Sequence, residues 1–396
     1  MDSATPSCGI LQVTVSDLKA EVLGVFHLEA DASEVAAVRR QLEVSRSIPN
    51  FEVHLVCHGR VLQDADLLCE FEKDGYVEIT LLRSPQPCAV TGGSDGDFLV
   101  WDLRSGSCCR FLPVGETITC LSIDWSARVM LSGHADSTLR LWDLDRGVCL
   151  RVLTDASTQV LRCVEFSWNA KLAVSGCAAF GSCCSTPNRH GTTLALWDLA
   201  SGRHIQGFGA CGVRSLSVDW TSHVLVNDDA RLHLFSLDSG SIVWQTDAAS
   251  ALQAMAVDWP AQRAVSAGSG TIKVWKLDGP RCIQEFTGCA HVQEIAVDWP
   301  SQRCIAAGLQ SRSREGLFCW TWNLEDGQCL HETFLGAEHL RCVAIDLYRQ
   351  CCLCAKSGQD DGEMVGDVLR LYSTVEGHPL VELEGHTDHI MCGVLS

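Results

Sequence analysis

The sequence lacks any apolar run approaching the ~20 residues that a membrane-crossing helix needs, so no part of it is expected to span a bilayer that way. It is also short of positive charge: 30 Lys and Arg stand against 49 Asp and Glu, a formal net charge of −19. The deficit holds in residues 1–86, with 7 basic and 14 acidic residues, and in the rest of the chain, with 23 and 35. Such a chain repels phosphate backbones, so neither nucleic acid nor membrane is expected as a partner unless a local patch escapes the average. Also missing are a Gly-rich phosphate loop, a nucleophile elbow, metal-ligand spacing and a paired-carboxylate cleft. The expectation is a protein that is not an enzyme and that needs no cofactor or metal.

Cysteine, by contrast, is plentiful. Its 23 copies are odd in number and spread along 396 residues, and Met1-Asp2-Ser3-Ala4-Thr5-Pro6 has no basic-then-apolar signal pattern. Both facts argue against a secreted disulfide framework. Cys120, Cys163 and Cys392 instead fall in one register of a repeated strand pattern, where cysteine acts as a small hydrophobe. A reducing compartment is expected, cytoplasmic and/or nuclear.

That repeat is the strongest signal in the chain. Seven times an apolar run leads into an aromatic, a second residue and a Leu or near variant, then a turn. The aromatics are Trp101, Trp142, Trp197, Phe235, Trp275, Trp322 and Tyr372, at intervals of 41, 55, 38, 40, 47 and 50 residues. One unit reads as four strands: Ile118–Trp125, Val129–Gly133, Thr138–Asp143 and Val148–Leu153, with Asp145-Arg146-Gly147 turning the third into the fourth. A period near 40 with Trp-Asp at the end of a strand resembles the WD-repeat family, which implies an all-β propeller of four-stranded blades over residues 88–396.

Residues 9–83 follow a different pattern. Leu11, Val13 and Val15 alternate with polar neighbours, as a half-buried strand should. Glu21 to Leu28 reads as the return strand of a hairpin. Asp31 with Glu34 three residues on marks a helix start, and Val35, Val38 and Leu42 form its apolar stripe. Val53–Cys57 and Val77–Leu81 supply further strands. This order, with Ile48-Pro49, Leu55-Val56-Cys57-His58-Gly59-Arg60 and Leu62-Gln63-Asp64, resembles ubiquitin over about 75 residues. The resemblance implies an α+β ubiquitin-like (β-grasp) domain, joined by the Pro-containing linker 84–87 to the propeller. Two departures limit what it carries. Leu81-Leu82-Arg83 runs into Ser84-Pro85 with no Gly pair and no free end, so conjugation is not expected. Val56 stands at the centre of ubiquitin's apolar recognition patch, but Glu78 and Thr80 flank it.

Six full units follow the first Trp-Asp, which lacks a first strand of its own. The last residues, His389 to Ser396, match that missing strand: Cys392 aligns with Cys120 and Leu395 with Ile123. The expectation is a seven-bladed propeller whose last blade is closed by the C-terminal strand, leaving no open sheet edge. In WD-repeat proteins a His, a Ser or Thr, an Asp and the Trp form a hydrogen-bonded chain. Here the complete set is split across the termini, with His386 joining Thr91, Asp95 and Trp101. Ser132, Asp136 and Trp142 show the same spacing, but Glu116 stands where His would be. The role implied is structural, because Trp only donates and Thr91 has no adjacent base in a cleft.

The long intervals come from insertions at 177–191, 308–316 and 357–367, all between the second and third strands and so on one face. They are the candidate partner-binding loops. The second is basic, with Arg312 and Arg314, and the third acidic, with Asp360, Asp361, Glu363 and Asp367. The first holds Cys177, Cys183, Cys184 and His190 without the spacing of a structural zinc site. On the opposite face a Trp follows the first strand in five units, at Trp125, Trp168, Trp220, Trp259 and Trp299, and packing against the neighbouring blade is expected. The function expected is a non-catalytic interaction scaffold within a multiprotein complex. Its propeller would bind one partner protein and its ubiquitin-like module a second. The alternatives are an adaptor or substrate-recognition subunit in the ubiquitin–proteasome system and a hydrolase using the propeller channel. The hydrolase would need a cluster of His or carboxylates on the innermost strands, where only Glu165 and Glu294 are scattered.

Overall fold

The computed structural model describes residues 10–16, 22–29, 35–46, 53–58, 60–62, 66–71, 73, 76–83, 88–154, 160–177, 194–209, 212–228, 231–247, 252–310, 316–336, 340–360 and 363–396. The chain divides into two compact units, Met1–Gln86 and Pro87–Ser396.

In the first unit, strands β1 (Ile10–Ser16) and β2 (Val22–Glu29) form an antiparallel hairpin, followed by helix α1 (Val35–Arg46). Strands β3 (Val53–Cys57), β4 (Arg60–Val61) and β5 (Tyr76–Arg83) complete a mixed sheet in the order β2-β1-β5-β3-β4, with β1 and β5 parallel. The period-two pattern decides which face is inside: Val77, Ile79 and Leu81 are buried, while Glu78 between them is exposed. Val35, Val38 and Leu42 are one stripe of α1 and close the core over Val13, Val15 and Leu55. The helix-start residues Asp31 and Glu34 lie outside the described residues.

The second unit is built from antiparallel four-stranded sheets. In one, Ile118–Asp124, Val129–His134, Leu139–Asp143 and Val148–Leu153 pair in chain order. Burial follows strand position. Val129–His134 is buried throughout, whereas Val148–Leu153 is exposed except at its last residue. A second strand covered on both faces needs an unbroken apolar or small-residue run, as Val129-Met130-Leu131-Ser132-Gly133 supplies. The outermost strand needs only one anchor, and Leu112, Leu153, Phe208, Phe286, Leu335 and Leu383 are the buried anchors of six such strands.

Ile390–Leu395 does not begin a new sheet. It pairs antiparallel with Cys88–Gly93, with Gly393 opposite Thr91 and Leu395 opposite Ala89, in the order last strand, Cys88–Gly93, Asp97–Asp102, Cys108–Pro113. Cys88 and Ser396 exchange hydrogen bonds at the end of this ladder, with Cys88 N–H donating to Ser396 Oγ and Ser396 N–H to Cys88 O. The innermost strands touch in succession, Ile118–Asp124 to Leu161–Ser167, Ser215–Asp219, Leu252–Asp258, Arg281–Asp298 and Leu340–Asp346. Ile390–Leu395 then touches both Leu340–Asp346 and Ile118–Asp124.

One feature departs from separate four-stranded units. Arg281–Asp298 is a single strand that pairs first with Arg263–Lys276 and then with Arg303–Gln310, so two units share one six-stranded sheet. The chain passes Gly288 at φ +137°, a backbone state that suits glycine, within a register shift between the pairs Thr271–Thr287 and Ser269–His291.

Candidate functional site

The first turn of each unit, between its innermost and second strands, shows how the sequence builds its rim. Asp124 Oδ1 accepts the N–H groups of Ser126 and Ala127, an Asx-type cap that ends the strand and lets the chain reverse. The residue closing the turn has positive φ at Arg128, Lys171, Gln262, Gln302 and Gln350, an αL conformation that side chains other than glycine adopt at a cost. The five tryptophans of these turns are half-buried. Trp168, Trp220, Trp259 and Trp299 pack against apolar clusters. Trp259 Nε1 donates to Ser217 Oγ at 3.2 Å, and the Arg263 guanidinium lies 4.7 Å from the Trp299 ring centroid; both contacts join adjacent units. Lys171 Nζ sits 3.0 Å above the ring of Trp168.

Inside the sheets the repeated aromatic has a defined partner. Trp101 Nε1 donates to Thr91 Oγ1 at 2.8 Å, and Trp142, Trp197 and Trp275 donate to Ser132, Ser175 and Ser266 at 2.9 Å. The cross-strand register puts Val226, Ala306 and Cys354 at the hydroxyl's position in the other three units. Two of those units have Phe235 or Tyr372 for the Trp. In the third, Trp322 stacks on Phe286 with centroids 5.9 Å apart.

The structure brings Thr91, Asp95, Trp101 and His386 together. Thr91 Oγ1 is 2.8 Å from His386 Nε2, and His386 Nδ1 is 2.7 Å from Asp95 Oδ2. The His386 and Asp95 side chains are 0% and 4% exposed, so the pair is sealed from water. Burial alone would raise the Asp95 pKa. The hydrogen bond and charge of His386, with the N–H groups of Thr387 and Asp97, outweigh it and hold the carboxyl below its ordinary range.

Ser132 also has a histidine, from a place the sequence pattern does not point to. His134, two residues further along the same strand, puts Nε2 2.8 Å from Ser132 Oγ. Asp136 instead bonds Thr138 and Arg140. Burial and the nearby Arg140 charge push the His134 pKa down to about 4, so the ring is neutral at pH 7. A residue at i+2 on the same side of a strand was the available signal.

Of the candidate partner-binding residues, Arg312, Arg314 and Asp361 lie outside the described residues. So does the first insertion from 178 to 193, with Cys183, Cys184 and His190. The other two insertions are less loop-like than expected. Arg303–Gln310 and Gly316–Asn323 stay paired out to Gln310 opposite Gly316. Cys351–Asp360 and Glu363–Ser373 pair out to Asp360 opposite Glu363. These insertions lengthen a hairpin instead of interrupting it, since the flanking residues keep the ladder. Asp367, read from sequence as part of an acidic loop, is a buried tether. Its carboxylate accepts Ile390 N–H at 2.9 Å and lies 3.1 Å from His389 Nδ1.

A repeat of four-stranded antiparallel sheets, each built around a strand-end aromatic and in four cases a Trp–hydroxyl bond, fits a WD-repeat β-propeller. The family model described as "WD domain, G-beta repeat" matches residues 106–143. Among solved structures the chain is similar to the computationally designed Ika8 protein, at TM-score 0.55 and 19% identity over 78% of this chain and 87% of that one. That likeness speaks for the fold alone. No curated protein matches the sequence significantly.

Proposed function

We propose that the protein is a non-catalytic interaction scaffold: a seven-bladed propeller, closed by its own C-terminal strand, that binds a partner protein through the face carrying the insertions. The observation that carries this reading is the position of the three insertions. All lie between the second and third strands of their sheets, at 177–191, 308–316 and 357–367. Loops of variable length on a fixed frame are where binding residues concentrate, and WD repeats generally mediate protein–protein contacts. Closure is supported by the pairing of Ile390–Leu395 with Cys88–Gly93 and by the unbroken succession of innermost strands.

The N-terminal unit, read as ubiquitin-like, would dock a second partner. Its hairpin, helix and parallel β1–β5 pair support that reading. An adaptor or substrate-recognition role in the ubiquitin–proteasome system follows if that unit engages the degradation machinery. A channel hydrolase has less in its favour. Glu165 Oε2 accepts Val218 N–H at 2.7 Å and Glu294 Oε1 its neighbour Ile295 N–H at 3.2 Å, so each carboxylate is tied to backbone. A reducing compartment, cytosol or nucleus, suits the many buried thiols.

The test is affinity capture with the full chain beside a variant in which 178–193 and 311–315 are replaced by tight turns. Loss of a captured protein from the variant, with melting temperature unchanged, is the expected result. Identical capture by both chains would refute the assignment of the partner to this face.

A further inference from the structure

The innermost strands carry a second pattern, one that a protein-binding scaffold does not require. In six of them one residue is bulged out of the ladder while the residues on both sides stay paired: Thr119, Arg162, Gln253, Gln293, Val343 and Met391. A bulge bends the strand and re-aims the extra side chain, and bulges gather beside functional sites. All six bulged residues line one cavity of about 470 Å³, and Arg341, which matches Thr119 and Arg162 in sequence register but stays paired with Ala355, lines it too. Arg214 holds the same position in its unit and donates from Nη1 to Gln253 Oε1 at 3.0 Å.

Three arginines at one position of the innermost strands run against a composition of net charge −19. Two of them, Arg162 and Arg341, line the cavity, and their charge is not absorbed by the one carboxyl in its lining. Glu294 bonds its neighbour's N–H, and burial pushes its pKa up to about 7, so it is about half neutral at that pH. Arg341 donates to the Ile390 carbonyl, which carries no net charge. Arg162 is exposed, with no ion-pair or hydrogen-bond partner among the described residues. The two glutamines are fixed as donors. Gln253 Oε1 is taken by Arg214, and Gln293 Oε1 accepts Cys342 N–H at 2.9 Å, which leaves both amide NH₂ groups to give.

We infer that this cavity binds a compact anion carrying several phosphoryl groups, gripped by the guanidinium groups of Arg162 and Arg341 and by the amides of Gln253 and Gln293. Phosphoryl oxygens match the planar guanidinium fork in two-point contact. The strands bearing Arg162 and Arg341 are not neighbours, so the charges approach from separate sides. A small molecule with several anionic groups meets both at once, whereas a peptide brings one acidic side chain at a time. The volume lies within the range of small-ligand pockets, ~300–1,000 Å³.

The experiment is isothermal titration of the full chain with inositol hexakisphosphate and with inorganic tripolyphosphate at physiological salt. Sulfate at matched ionic strength and a poly-glutamate peptide are titrated in parallel. Saturable one-to-one binding of either phosphate compound is expected, at least tenfold weaker in Arg162→Gln and in Arg341→Gln, with unliganded melting temperatures unchanged. Arg162→Lys, which keeps the charge but loses the fork, should fall between and stands in if a Gln variant does not fold. No saturable binding of either compound, binding that survives both Gln substitutions, or equal binding of poly-glutamate would overturn the inference.

Discussion

The His386–Asp95 pair illustrates what a single buried residue does here. Its two ring nitrogens face Thr91 and Asp95, so removing the ring leaves a hydroxyl and a carboxylate in a dry place. His386→Ala is expected to cost about 1–2 kcal/mol, the range for one buried hydrogen-bond partner, read as a lower denaturation midpoint at unchanged slope. A midpoint equal to wild type would mean the chain of bonds is not holding the sheet. Buried ionisable groups make a second prediction, in pH. His134 titrates at about 4 in the fold against an ordinary 6.5, so its contribution is present above pH 6.5 and lost as pH falls toward 4. Glu165 runs the opposite way. Burial raises it from 4.5 to about 7, so the fold holds a proton that the unfolded chain has released, and stability is lost as pH rises through that window. Glu165→Gln should therefore stabilise the protein by about 1–3 kcal/mol at pH 8 and by little at pH 5. Thermal unfolding at the two pH values checks this, and a gain independent of pH would contradict it.

At the scale of elements, the strand is the unit to test. Ile390–Leu395 supplies the edge partner of Cys88–Gly93, and Asp367 ties its first N–H. A chain ending at residue 386 keeps His386 but exposes the ladder of Cys88–Gly93, and unpaired edges recruit other chains. A large fall in melting temperature with new aggregation is expected, seen by light scattering during the melt. An unchanged melt without aggregation would count against the pairing. Most of these strands were legible from the sequence, because second strands covered on both faces must be apolar or small throughout and outer strands must not. The bulges at Thr119, Arg162, Gln253, Gln293, Val343 and Met391 were not. They depend on how strands converge around the cavity, and no local residue preference marks them. The merging of two units through Arg281–Asp298 was hidden for a related reason. The ladder slips past residues 288–290 between the pairs Thr271–Thr287 and Ser269–His291, and such a slip depends on both strands. His134 escaped because the family pattern places the histidine ahead of the first strand, whereas here it stands inside the second.

For the whole molecule, the expectation is two independently cooperative units. Residues 1–84 have their own core of Val13, Val35, Leu55 and Ile79, and 88–396 have their own apolar clusters. Expressed apart, each should unfold in a single cooperative transition, and a featureless melt of 1–84 would refute the division. With no Gly pair and no free end at Arg83-Ser84, the first unit should form no thioester or conjugate with activating enzyme and ATP, as a gel-shift assay would show. Both ends of 88–396 meet in one sheet, and amide hydrogen exchange of the untouched full chain is the sharpest probe of that pairing. A free chain end exchanges at the rate of an unstructured peptide. Amides of 390–395 are expected to be protected as strongly as those of the buried strand 129–134; exchange of 390–395 at the rate of a loose terminus would rule the pairing out.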